Sequence, residues 1–200
     1  MGKQITLAWD IDGTIADFVG GFRDFLVDFQ EIPLKNLPVP TVYNFHNEWG
    51  MEVDAWKNHY RDFVLSGELR RLQTTQACRS ISESLFRARK YGYRNIICTA
   101  RGTEFDDIGF RKLAELDTKR WLKNKGFTHL IQDVIHCSPS KKKDIDADIY
   151  LDDSPFVLES VKLADKIPVC YTQSYNKSYK GKRVNTTREF INVVLNVLCG

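Results

Sequence analysis

Apolar positions in this chain follow two rhythms: short unbroken runs, and longer stretches with helical spacing. The first run, Ile5-Thr6-Leu7-Ala8-Trp9, stops abruptly at Asp10-Ile11-Asp12-Gly13-Thr14. An unbroken run of this length predicts a strand buried on both faces of a parallel sheet. Residues 95–99, 134–137, 148–151 and 168–171 repeat the pattern. Helical spacing fills the intervals. Phe18, Phe22, Phe25, Leu26 and Phe29 form one stripe. Ile81, Leu85 and Ala88 form another that ends near Gly92, and Leu113, Leu116, Trp121 and Leu122 a third stopped by Gly126. Ser154-Pro155 reads as a helix N-cap and first helical position, and 187–198 as a last amphipathic helix. Strands alternating with helices predict an α/β fold, a doubly wound, Rossmann-like parallel sheet of about five strands.

One region breaks the alternation. Pro33, Pro38 and Pro40 interrupt it, and Tyr43, Phe45, Trp49, Trp56, Tyr60 and Phe63 follow with helical tendency and no period of two. Residues 17–72 therefore read as a small helical cap inserted after the first strand, with 1–16 and 73–200 forming the core domain. Gly20 and Gly21 inside the first helix cost roughly 1 kcal/mol each relative to Ala, which makes sense if something approaches that face closely.

Composition narrows the class. At 200 residues the chain can bury one sizeable core and a minor insertion. Its 42% hydrophobic and 28% charged content is ordinary for a globular protein, and a net charge of +3 does not by itself imply nucleic acid. No window approaches eighteen consecutive apolar residues and no signal-peptide pattern opens the chain, so no membrane partner is expected. Met1-Gly2-Lys3-Gln4-Ile5-Thr6 fits an acylation pattern, but Ile5 and Thr6 are needed in the first strand. The five cysteines include no Cys-x-x-Cys pair, which argues against zinc or a redox motif. Cys98, Cys137 and Cys170 fall in or at the end of apolar runs, as small buried hydrophobes do. The chain reads as cytoplasmic and reduced.

Candidate chemistry lies at the strand ends: Asp10 and Asp12, then Thr99, the lysines 141–143, and Asp152-Asp153. Carboxyl ends of parallel strands line one edge of a sheet, so these groups can converge there. Clustered carboxylates suit a hard cation such as Mg²⁺. A calcium loop is excluded, because Ala16, Phe18 and Val19 occupy the places its further ligands would need. A hydroxyl and an ammonium can hold phosphate oxygens, and an aspartate can attack phosphorus. The set fits phosphoryl transfer.

The four signatures together resemble the haloacid dehalogenase-like phosphatase superfamily: Asp-x-Asp-Gly-Thr, a Thr ending the second strand, a Lys ahead of the fourth, and a terminal Asp-Asp. The resemblance implies Asp10 as nucleophile and Asp12 as general acid/base, with Thr99 and one lysine on phosphate oxygens. Spacing to the acidic pair favours Lys142, with Lys141 or Lys143 next. Mg²⁺ would sit between Asp10, the Asp12 backbone carbonyl and the pair, Asp153 as direct ligand and Asp152 in support. More narrowly, Asp10 to Phe25, Asp152-Asp153-Ser154-Pro155 and Tyr175-Asn176 are similar to the 5′(3′)-deoxyribonucleotidase family. That likeness implies Phe18, Tyr43 and Phe45, and less closely Tyr60, over a nucleotide base. Where that family often reads Thr-Ser-Pro, this chain has Thr99-Ala100-Arg101-Gly102, and Arg101, beside Ala100, could bind phosphate bidentately.

The expected activity is Mg²⁺-dependent hydrolysis of a phosphomonoester through an aspartyl-phosphate, the substrate a (deoxy)nucleoside monophosphate. The alternative is a sugar phosphate or the 3′-phosphate end of a nucleic acid. The basic loop with Lys177, Lys180, Lys182 and Arg183 keeps nucleic acid open without favouring it. A phosphoacceptor signalling domain fits less well, since no Asp ends a middle strand. A homodimer is left open.

Overall fold

Thr6–Trp9 forms β1, and all four of its residues are buried. Leu7 and Trp9 face one side of the sheet and Ala8 the other, as strand alternation requires. The structure is a computed structural model that describes residues 3–199. Met1, Gly2 and Gly200, which hold the first two positions of the acylation pattern and the outermost positions of the expected core domain, lie outside the described residues.

β1 is central. It pairs in parallel with β2 (Arg94–Thr99) and β4 (Ile149–Asp152), Thr6 opposite Arg94 and Leu7 opposite Ile149. Beyond β2 lies β3 (Asp133–His136), and beyond β4 lie β5 (Ile167–Tyr171) and β6 (Arg183–Val184). The order is β3-β2-β1-β4-β5-β6, parallel throughout, so the doubly wound sheet expected from the sequence is present. It has six strands rather than about five. The added strand is two residues long and has no apolar run to betray it.

The face bearing Leu7, Trp9 and Leu151 packs on α3 (Cys78–Lys90), α4 (Ile108–Asn124) and α6 (Thr187–Cys199) through Leu85, Trp121 and Phe190. The opposite face, with Ala8, Ile96 and Tyr150, is covered by Val157 and Val161 of α5 (Pro155–Leu163). Ser154 caps α5 by accepting the Val157 N–H at 3.4 Å. Cys98 and Cys170 are buried and Cys137 half-buried, all as free thiols.

Residues 17–73 make one excursion from the sheet, and its ends are stitched together. The Asp17 N–H donates to the Gln73 carbonyl at 2.9 Å, and the Thr75 N–H to that of Ile15 at 3.1 Å. α1 (Phe18–Asp28) and α2 (Val53–Leu65) meet through Phe63, whose ring lies edge-on 5.3 Å from both Phe22 and Phe25. The close approach expected at the α1 glycines is there. A Cβ on Gly21 would strike Leu72, and one on Gly20 the Asp17 carboxylate that caps the helix. Residues 37–52 are turns rather than helix, consistent with Pro38 and Pro40. They are held by Glu48, which accepts the Thr41 N–H at 2.7 Å, and by Trp49, whose indole donates to the Pro38 carbonyl at 2.9 Å. Arg61 and Arg70 tie the excursion to the α4 side through Asp107 at 2.7 Å and Asp117 at 3.3 Å. Among the described residues no helix is long and apolar enough to cross a membrane.

Candidate active site

Strand order reverses between β1 and β4, and open α/β sheets keep their ligands at such a point, beyond the carboxyl ends. Asp10 follows β1 and stays on its ladder, its N–H donating to the Leu151 carbonyl at 2.9 Å. Asp152 ends β4 and Asp153 follows. The intervening turn is tight, with the Ile11 carbonyl accepting the N–H groups of Thr14, Ile15 and Ala16. Gly13 holds a left-handed φ of 77°, and a Cβ there would strike the Asp153 carboxylate and the Tyr175 hydroxyl.

Asp10, Asp152 and Asp153 are buried, and one carboxylate oxygen from each lies within 4.8 Å of the others. Lys142 joins them. Its Nζ donates to Asp10 Oδ1 at 2.6 Å and to Asp152 Oδ2 at 2.7 Å. Pro139–Asp144 is a 3-10 helix, in which successive residues point a third of a turn apart, so only one of three consecutive lysines can face inward. Lys141 instead reaches Asp144 at 3.8 Å on the surface, and Lys143 is exposed.

Most carboxylate oxygens already have a donor. Asp152 Oδ1 accepts the Ser154 N–H at 2.9 Å, and Asp153 Oδ2 the Tyr175 hydroxyl at 2.6 Å. Among the described residues, Asp10 Oδ2 and Asp153 Oδ1 have only the Thr14 hydroxyl, 3.4 Å from each. Burial pushes the Asp10 carboxyl up to about 7, against the pull of Lys142. Burial, reinforced by Asp10 and Asp152, holds Asp153 well above its ordinary value. Burial works to discharge Lys142 too, but Asp10 and Asp152 outweigh it and keep the ammonium charged well above its usual range. Three carboxylates thus face one ammonium. This oxygen-rich, under-neutralised set fits a hard divalent cation.

Asp12 faces elsewhere. Arg101 Nε donates to its Oδ2 at 2.8 Å and Nη2 to its Oδ1 at 2.6 Å, a bidentate charge-assisted pair. The Arg101 side chain is fully buried and lies over the Trp121 ring, 5.6 Å from its centroid. The sequence left this fork able to bind substrate phosphate. Arg101 does line the cavity, but Nε and Nη2 are spent on Asp12, because a buried guanidinium needs a counter-charge. The Thr99 hydroxyl, also buried, accepts the Arg101 backbone N–H at 3.4 Å.

A cavity of about 300 Å³ lies over these groups, and Asp10, Asp12, Thr99, Ala100, Arg101, Lys142, Asp152 and Asp153 all line it. Phe18, Tyr43, Phe45, Trp56 and Tyr60 line it as well, so the favoured catalytic, metal and base-binding candidates border one space. Tyr60 stacks on Trp56 at 5.5 Å with planes 6° apart and meets Phe18 edge-on at 5.9 Å. Tyr43 lies edge-on to Tyr175 at 5.9 Å. Trp56, Lys57 and Glu104 also border the cavity and were not given a role, and Tyr175, part of the family likeness, borders it too. Trp56 was legible, four residues before Tyr60 on one helical face. Glu104, in a polar loop, gave no signal.

A family model described as 5′ nucleotidase, deoxy (pyrimidine), cytosolic type C protein matches residues 3–198. A Chlorobaculum tepidum protein that carries the name of a 5′(3′)-deoxyribonucleotidase is 25% identical over 199 residues, covering 96% of this chain and 91% of its own. A haloacid dehalogenase-like hydrolase of Streptococcus pneumoniae superposes with a TM-score of 0.63 at 15% identity, covering 96% of this chain and 98% of its own. The hydrolase YfnB of Bacillus subtilis gives 0.59 at 13% identity, with 96% and 99% covered.

Proposed function

The chain belongs to the 5′ nucleotidase, deoxy (pyrimidine), cytosolic type C family of haloacid dehalogenase-like phosphatases, and from that premise we propose that it hydrolyses nucleoside monophosphates with Asp10 as nucleophile and Mg²⁺ as cofactor. One observation carries this reading: the carboxylate–ammonium cluster and a set of aromatic rings border the same cavity of about 300 Å³. The first suits a phosphate, the second a planar base held by stacking. Residues 17–72 serve as the cap that supplies the rings.

Asp10 attacks phosphorus and displaces the ester oxygen, leaving an aspartyl-phosphate. Released from the Arg101 fork, Asp12 gives that oxygen a proton, then takes one from the water that hydrolyses the aspartyl-phosphate, so inorganic phosphate leaves and Asp10 is restored. Lys142 and Thr99 hold phosphate oxygens as their charge grows. Asp10, Asp153 and the Asp12 carbonyl would hold Mg²⁺, with Asp152 supporting through Lys142 and Ser154. Bound there, the ion supplies positive charge to the phosphate. The free thiols among the described cysteines suit the cytoplasmic location proposed for the chain.

Phosphate release across deoxyribonucleotides, ribonucleotides, sugar phosphates and 3′-phosphorylated oligonucleotides tests the substrate class. The highest kcat/KM is expected among the nucleoside monophosphates. A sugar phosphate or an oligonucleotide end turned over faster would overturn it.

Asp12→Asn is expected to lower turnover by about 10²–10⁴-fold, while Mg²⁺ affinity by calorimetry stays close to that of the wild type, since the backbone carbonyl remains. An equal loss of affinity would make the Asp12 side chain a ligand instead.

Stability should depend on pH through the same cluster. Asp10 has a folded value near 7, above its unfolded value, so the metal-free fold holds a proton there that it loses, with stability, as pH rises from about 4 through 7. Asp153 acts in the same sense. His136 acts oppositely, because burial lowers it and its stabilisation is lost as pH falls, but this contribution cancels between samples with and without Mg²⁺. The rise in Tm produced by Mg²⁺ should therefore be larger at pH 7.5 than at pH 5.5. A rise independent of pH would show that protons and metal do not compete at these carboxylates.

A further inference from the structure

Two oxygens of the acidic cluster accept uncharged donors, Asp152 Oδ1 from the Ser154 N–H and Asp153 Oδ2 from the Tyr175 hydroxyl. Tyr175 is buried and donates its hydroxyl to Asp153 Oδ2 at 2.6 Å, which leaves Asp153 Oδ1 beside Asp10 Oδ2 at the Thr14 hydroxyl. The segment carrying Tyr175 is braced on both sides. Gln173 Nε2 donates to the Gly13 carbonyl at 2.5 Å, so the turn after the nucleophile is tied to it. Asn176 Nδ2 donates to the carbonyls of Asp153 and Tyr171, both at 2.8 Å. Arg183, which the sequence placed in a basic loop, donates through Nη2 to the Asn176 and Tyr179 carbonyls at 2.8 and 2.9 Å, and through Nη1 to Asn176 Oδ1 at 3.1 Å.

We propose that Tyr175 is a positioning residue that makes Asp153 a one-oxygen ligand and so biases the site toward Mg²⁺ over Ca²⁺. The physical basis is the difference between the two ions. Mg²⁺ takes six ligands in a near-ideal octahedron and suits carboxylates that offer one oxygen each. Ca²⁺ takes six to eight and gains from a bidentate carboxylate. With Oδ2 held by Tyr175, turning Asp153 to offer both oxygens to one ion works against a buried hydrogen bond. Gly13 completes the arrangement, since a side chain there would strike both the hydroxyl and the carboxylate it holds. Donors behind a metal ligand commonly change metal affinity by about 10–100-fold when removed.

The inference rests on the metal reading of the site, and one experiment separates the two. Wild type and Tyr175→Phe are titrated with Mg²⁺ and with Ca²⁺ by calorimetry, without substrate. Tyr175→Phe keeps the ring and removes only the hydroxyl. Its Mg²⁺ affinity should fall about tenfold while Ca²⁺ affinity falls less or rises, moving the ratio of the two toward Ca²⁺. An unchanged ratio in a variant that binds metal overturns the role of Tyr175. Absence of Mg²⁺ binding by the wild type overturns the metal reading, and this inference with it. Should Tyr175→Phe fail to fold, Arg183→Gln loosens the same segment from behind and should move the ratio in the same direction by less. A folded Arg183→Gln protein with the wild-type ratio also counts against the proposal.

Discussion

Asp10→Asn is expected to abolish phosphate release, lowering kcat by about 10⁴-fold or more, as loss of a nucleophile does elsewhere, while leaving the metal-free fold at least as stable as before. The side chain keeps its shape, so β1 and its bond to the Leu151 carbonyl are undisturbed. What disappears is a charge that burial already disfavours, since the Asp10 carboxyl sits near 7. Lys142 retains Asp152 at 2.7 Å. Chain-wide destabilisation accompanying the loss would point to unfolding and not to missing chemistry. Turnover within tenfold of the wild type would remove Asp10 from the mechanism altogether. Melting in EDTA alongside single-turnover phosphate release distinguishes these outcomes.

Lys142→Met should act in the opposite way, damaging the fold as well as the reaction. Lys142 is 3% exposed and is the only cation bonded to the buried carboxylates of Asp10 and Asp152 among the described residues. Removing one partner of a buried ion pair costs about 3–5 kcal/mol, because the other is stranded. For a chain of this size, with roughly 2–4 °C lost per kcal/mol, Tm in EDTA should fall by about 6–20 °C. Saturating Mg²⁺ should recover part of that loss by supplying the missing positive charge. A variant as stable as the wild type in EDTA would mean that Asp10 and Asp152 take up protons without cost. Lys141→Met provides the comparison. That residue reaches only Asp144, at 3.8 Å on the surface, and its removal should change neither quantity measurably.

The contrast between these lysines marks what the sequence could and could not convey. Lys142 was separable from its neighbours by spacing to Asp152, because a fixed number of residues joins a 3-10 turn to the next strand. Asp10, Thr99 and Asp153 were legible for a related reason: each ends or follows a strand, and parallel packing delivers strand ends to one edge. Arg101 was legible as a cation near phosphate but not in its pairing. Whether its fork reaches a substrate or Asp12 depends on how β2 and the turn after β1 sit against Trp121, a tertiary matter. Arg183 is the same problem reversed, a residue read as part of a basic loop open to nucleic acid whose bonds run to backbone carbonyls of a neighbouring turn. Local pattern carries no record of such bonds. Residues 37–52 show a further limit, where abundant aromatics suggested helix and the prolines among them determined otherwise.

β1 precedes the other strands of the sheet, yet one of its two neighbours is about 140 residues away in the chain. β2 closes one edge of it near Arg94, but the other edge waits for Ile149, and Lys142, Asp152 and Asp153 arrive with that same stretch. A growing chain on the ribosome therefore carries Asp10 for on the order of ten seconds with an open apolar edge beside it and without Lys142, its counter-ion. Such an intermediate invites pairing with other chains, so its yield during synthesis should respond to chaperone supply and elongation rate even where the finished protein is stable.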